Sequence, residues 1–70
     1  MILTAQTARS LRVLLTHVEG IDAATLRRLG SARANTLRLL IGREWAKTID
    51  EKFFITDKGR RVILQWDGKL

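Results

Sequence analysis

The apolar residues of this chain change period at Gly42, and that change decides what it can fold into. Before Gly42, leucines recur at helical intervals, with a Leu-Arg-x-Leu string at Leu11 to Leu14, Leu26 to Leu29 and Leu37 to Leu40. Spacings of three and four residues place such pairs on one face of a helix. The strings begin fifteen and then eleven residues apart, so they are three separate amphipathic helices rather than a structural repeat. After Gly42, Trp, Ile, Phe and Thr crowd into residues 45–49 and 52–55, two short strands joined across Asp50-Glu51. Helical spacing then returns at Val62, Ile63 and Trp66. The predicted order is helix, helix, helix, hairpin, helix: a mainly α fold with a small β-hairpin, of the α+β class.

Capping residues mark the boundaries. Thr4 is placed to cap a first helix whose inner stripe is Ala8, Leu11, Leu14, Leu15 and Val18, with Arg9, Arg12 and Thr16 off the stripe. Gly20 supplies a left-handed stop beyond it. Ile21 stands as an isolated apolar residue, and Asp22 caps a second helix that buries Leu26 and Leu29. Gly30-Ser31 ends the second helix and offers a cap for the third, where Ala34, Leu37, Leu40 and Ile41 share a face. Thr56 caps the last helix, with Asp57 favourable in its first turn. Trp45 and Trp66 are expected in the core, since their neighbours alternate or follow helical spacing.

Seventy residues make a single domain, residues 1–70. Scaling relations give such a chain about 4,450 Å² of folded surface, with roughly 60% of the unfolded chain's surface buried. Without Cys, neither disulfides nor thiolate-bound zinc can reinforce it. His17 is the only imidazole, a poor basis for a metal site, and no cofactor is expected. A Ser10, His17, Asp22 triad fails on distance, because seven residues of helix separate Ser10 from His17 by about 10.5 Å of rise. The five glycines are dispersed and form no phosphate-binding loop. The chain is therefore expected not to be an enzyme. Its longest aliphatic runs, Val13-Leu14-Leu15 and Leu39-Leu40-Ile41, fall far short of the ~20 residues of a membrane span. Met1-Ile2-Leu3 leads into polar Thr4 and Gln6 without the pattern of a signal peptide, so a cytoplasmic location is expected.

Thirteen Lys and Arg against seven Asp and Glu give a net charge of +6, which points to a polyanionic partner. The predicted order of elements resembles the winged helix-turn-helix family over nearly the whole chain. Its most specific local piece is Phe54-Ile55-Thr56-Asp57-Lys58-Gly59-Arg60, similar to the close of the wing in bacterial regulators of the MarR and PadR type. The resemblance implies a three-helix core, a two-stranded wing and a short C-terminal helix. It also implies binding of double-stranded DNA by a small transcription regulator or mobile-element accessory factor.

In that reading the third helix enters the major groove and presents Ser31, Arg33, Asn35, Thr36 and Arg38. Arg suits guanine O6 and N7, Asn suits adenine, and Ser or Thr suits phosphate or either base. Arg28, Arg43, Lys47 and Lys52, with Arg27, would reach flanking phosphates. Asn35 has a second reading as a helix cap, and Leu39 either packs under the wing or meets a thymine methyl. The wing tip is Asp50-Glu51, and phosphate repels two carboxylates, so the helix is expected to read while the wing stays back. A homodimer on a two-fold site is expected, with the first and last helices and Trp66 as its surface. No membrane and no metal is expected as a partner. The alternative is a protein-protein interaction module on the same fold.

Overall fold

The computed structural model describes residues 3–69. Along the chain run α1 (Ala5–Thr16), β1 (Ile21–Asp22), α2 (Ala23–Gly30), α3 (Ala34–Gly42), β2 (Ala46–Ile49), β3 (Lys52–Ile55) and α4 (Asp57–Trp66). The described residues thus form a mixed α+β fold of four helices and one antiparallel sheet, with strand order β1-β3-β2. None of the described helices is long and apolar enough to cross a membrane.

Side-chain caps start three of the helices where the sequence places them. Thr4, Asp22 and Thr56 accept hydrogen bonds from the backbone N–H of Thr7, Thr25 and Gly59 respectively. Hydrogen bonding to Thr25 holds the Asp22 carboxyl below its ordinary value. The start of α3 differs. Ser31 is the left-handed C-cap of α2, at φ 54°, and Arg33 rather than Ser31 occupies the N-cap of α3. Gly30 is the last residue of α2 and serves packing instead of the turn: a Cβ there would lie 2.9 Å from Ser10 Oγ. Ser10 is fully buried and donates its hydroxyl to the Gln6 carbonyl, so two small residues let α1 and α2 approach closely.

The sheet has a third strand, β1, beyond the two of the expected hairpin. Ile21 pairs with Phe53 and Asp22 with Lys52, so the isolated apolar residue becomes a sheet edge. Gly20, at φ +92°, leads into this strand rather than closing α1, whose C-cap is His17. The Phe54 ring occupies the space a side chain on Gly20 would take.

Leu11, Leu14, Leu26, Leu40 and Ile63 are fully buried, and Leu3, Ala8, Ile21, Trp45 and Ala46 complete the core. Several expected core residues lie outside it. Val18 is 77% exposed because α1 ends before reaching it, and Leu29 and Trp66 are each 45% exposed. In α3 only Leu40 is buried, with Leu37 partly so, while Ala34 and Ile41 face outward. A nine-residue helix lying over one edge of so small a core has a narrow buried stripe.

The exit of α3 and the start of α4 are locked together. Glu44 takes a left-handed conformation at φ 60°, and the Trp45 N–H reaches back to the Leu40 carbonyl, as in a Schellman cap. The Thr56 N–H donates to the Trp45 carbonyl at 3.0 Å, and the Thr56 hydroxyl donates to the Glu44 carbonyl. Gly59 sits directly over the same Trp45 carbonyl, where a Cβ would fall 2.0 Å from the oxygen. At the other end of α4, Arg12 of α1 grips Asp67 with a bidentate fork, Nη2 to Oδ1 at 2.6 Å and Nε to Oδ2 at 3.0 Å. It is the one ion pair among the described residues.

Two opposite effects on stability follow at the α3–α4 junction. Gly59→Ala forces α4 away from the Trp45 carbonyl and is expected to cost about 3 kcal/mol. Glu44→Gly relieves a left-handed non-glycine residue and is expected to gain about 1 kcal/mol, visible in thermal unfolding as a higher midpoint. Acid should loosen the α1–α4 clamp. Its hydrogen bonds to Arg12 hold the Asp67 carboxyl below the ordinary value of 3.8. The carboxylate therefore stabilises the fold at neutral pH, and that contribution disappears as pH falls through its lowered value. Asp67→Asn is expected to lower stability at pH 7 and to flatten the decline below about pH 4, as measured by urea unfolding across pH.

Candidate nucleic-acid interface

Residues 23–43, which cover α2, the turn and α3, contain five arginines and no acid. Five of the six net positive charges are thus concentrated in less than a third of the chain. All five cations are Arg, whose planar fork binds phosphate and guanine bidentately, where Lys offers only a point charge. This run of Arg without acids was available in the sequence and is a sharper signal than the overall net charge.

The turn between α2 and α3 is three residues, Ser31, Ala32 and Arg33, and buried Ala32 anchors it. Its geometry is set by the Ala32 N–H, which bonds to the Arg27 carbonyl at 3.1 Å. Arg33 at the N-cap and Asn35 and Arg38 within α3 are all exposed, and Asn35 and Arg38, three residues apart, share a flank of the helix. Asn35 lies one residue inside the helix, so it does not serve as the cap.

Two expected members of this group are engaged elsewhere. Thr36 is partly buried, and its hydroxyl accepts from the Arg33 N–H at 3.3 Å, which satisfies a free donor at the helix start. Ser31 precedes α3 and accepts from Arg9 Nη1 at 3.1 Å. That contact brings in Arg9, from α1, which adds a sixth guanidinium beside the turn. Twenty-two residues separate Arg9 from Ser31, so only the packing of α1 on α2 makes them neighbours.

The flanking cations divide into three settings. Arg27 and Arg28 are exposed in the last turn of α2, where they also offset the helix dipole. Arg43, just past α3, holds its guanidinium 5.9 Å from the centre of the Trp45 ring. Lys47 and Lys52 are not aligned with α3. Strand alternation puts them with Ile49 and Phe54 on the outer face of the hairpin, whereas Ala46, Phe53 and Ile55 face the core. Lys52 also stands opposite Asp22 across the sheet.

At the hairpin tip, Asp50 and Glu51 both have positive φ, 50° and 66°, the pattern of a type I′ turn. Both carboxylates are exposed. Between α3 and β3 runs an apolar groove lined by Leu37, Arg38, Ile41, Gly42 and Phe53. No set of three or more His, Cys, Asp or Glu capable of holding a metal occurs among the described residues.

Arg33, Asn35 and Arg38 make no hydrogen bond through their side chains to the described fold. Each single replacement by Ala is expected to change unfolding free energy by less than about 0.5 kcal/mol. Urea titration checks this, and a loss of 2 kcal/mol or more would show that these groups support the core instead of standing free at the surface.

No protein family matches the chain, and no curated protein or solved structure is significantly similar to it.

Proposed function

We propose that this chain is a winged helix-turn-helix domain that binds double-stranded DNA, acting as a small transcription regulator or mobile-element accessory factor. The observation that carries this reading is the acid-free run of arginines through α2 and α3, with exposed Arg33 at the N-cap of α3 and exposed Asn35 and Arg38 three residues apart on the helix. Arg38 and Arg33 offer bidentate donors for guanine or phosphate, and Asn35 offers the complementary pair for adenine. Arg9, Arg28 and Arg43 flank them for backbone phosphates. The element order α1-β1-α2-α3-β2-β3 and the three-residue turn before α3 are what a helix-turn-helix with a wing requires.

Asp50 and Glu51 keep the hairpin tip away from phosphate, so α3 reads while the hairpin stays back. A single module of this kind covers ~600–1,000 Å² of its own surface on DNA. One copy therefore binds weakly, and a second copy on a two-fold site supplies the remaining affinity. Half-exposed Trp66, which borders a surface pocket with Leu3 and Val62, suits such a contact.

A protein-docking role on the same scaffold is the second reading. The apolar groove between Leu37, Ile41 and Phe53, close in the fold to an acidic hairpin, is the observation that favours it.

Titration of duplex DNA at several salt concentrations separates the two. Engagement of about four phosphates gives a slope near −4 in log K against log salt. Arg33→Ala with Arg38→Ala is expected to reduce that slope by about one to two and to lower affinity without unfolding the domain. Undetectable binding at ~50 mM salt would remove the DNA reading in favour of the docking one.

A further inference from the structure

Leu39 is the one large apolar side chain of α3 that neither joins the core nor lines the groove against β3. Leu40 is in the core, and Leu37 and Ile41 border the groove with Phe53. Leu39 is 38% exposed, and it lies on the flank of α3 that carries Asn35, one helical turn earlier. Leu37 and Ile41, rather than Leu39, take the places against Phe53 of the hairpin. Leu39 sits next to Arg38, inside the acid-free segment.

Four residues of helix rise place Leu39 about 6 Å along the axis from Asn35, close to two base-pair steps of about 3.4 Å. Thymine is the base that presents a methyl group in the major groove, and an apolar side chain recognises it by excluding water from both surfaces. We infer that Leu39 is a specificity-determining residue that reads a thymine 5-methyl group, within two steps of the adenine paired by Asn35. The inference rests on the DNA-binding reading above and adds to it a stated base preference. Asn35 and Leu39 together select A and T on one flank of the helix, while Arg38 supplies the guanine contact.

The test uses the full chain and the duplex it most enriches from a random-sequence pool. The same duplex is also made with each thymine replaced singly by deoxyuridine, which removes only the 5-methyl group. Binding is read by fluorescence anisotropy at fixed salt. Loss of the methyl at one position is expected to weaken binding about fourfold. Leu39→Ala is expected to bind the thymine and deoxyuridine duplexes equally while keeping the parent salt slope. Leu39→Gln, of similar length, gives the same comparison should the alanine variant fail to fold.

Equal binding of every deoxyuridine duplex by the parent, with its salt dependence intact, overturns the inference and leaves the DNA reading in place. Persistence of the thymine preference in a folded Leu39 variant also overturns it. Failure of the parent to bind any duplex overturns both.

Discussion

The Trp45 carbonyl is the point on which the two halves of this small domain are joined. It receives the Thr56 N–H, and Gly59 rests against it with no room for a side chain. Thr56 adds two further bonds, donating its hydroxyl to Glu44 and accepting the Gly59 N–H that starts α4. Four consecutive requirements therefore meet in one place: the end of α3, the base of β2, the end of β3 and the first turn of α4. With Trp45 itself buried, the junction is continuous with the core. The angle between α3 and the hairpin is set here, and so is the direction in which the arginines of α3 face.

Electrostatics then divides the molecule along the same line. Residues 23–43, just before the junction, hold arginines without acids, and the segment that follows carries Glu44, Asp50 and Glu51. A polyanion approaching α3 is attracted along one face and repelled at the hairpin tip. The lysines of the hairpin do not reverse this, because the strand register puts them on the outer face, with Lys52 opposite Asp22. Such a field orients a ligand as well as attracting it. The left-handed Asp50 and Glu51 hold that negative tip in a tight two-residue turn at some conformational cost, where Asn-Gly would be easier.

Much of the local structure is legible residue by residue, because capping and periodicity act over four residues or fewer. Thr4, Asp22 and Thr56 cap the helices they precede, and the change of period at Gly42 marks the hairpin. Errors arise where one residue type serves two purposes. Gly30-Ser31 reads as a glycine stop followed by a serine cap, yet Ser31 makes the left-handed turn and Gly30 is needed for contact with Ser10. Leu29 and Trp66 fit their helical stripes, but the core of a chain this short is filled by Leu26 and Ile63 before they reach it. A two-residue strand has no periodicity of its own, so β1 exists only because Phe53 and Lys52 are there to pair with it.

The candidate site shows the same division. Composition and spacing by themselves determined that α3 carries Asn35 and Arg38 off its apolar stripe, since a helical face follows from the order of residues alone, whereas Arg33 is exposed because it is the N-cap. Only the tertiary structure decided which neighbours join them. It drew Arg9 to Ser31 across twenty-two residues, bound the Thr36 hydroxyl to the backbone, turned Lys47 and Lys52 to the far side of the hairpin and left Leu39 outside the groove. The physical reason is range. Helix propensity, caps and charge density are properties of a few adjacent residues, whereas the membership of a surface depends on how separate elements pack around Leu11, Leu40 and Trp45.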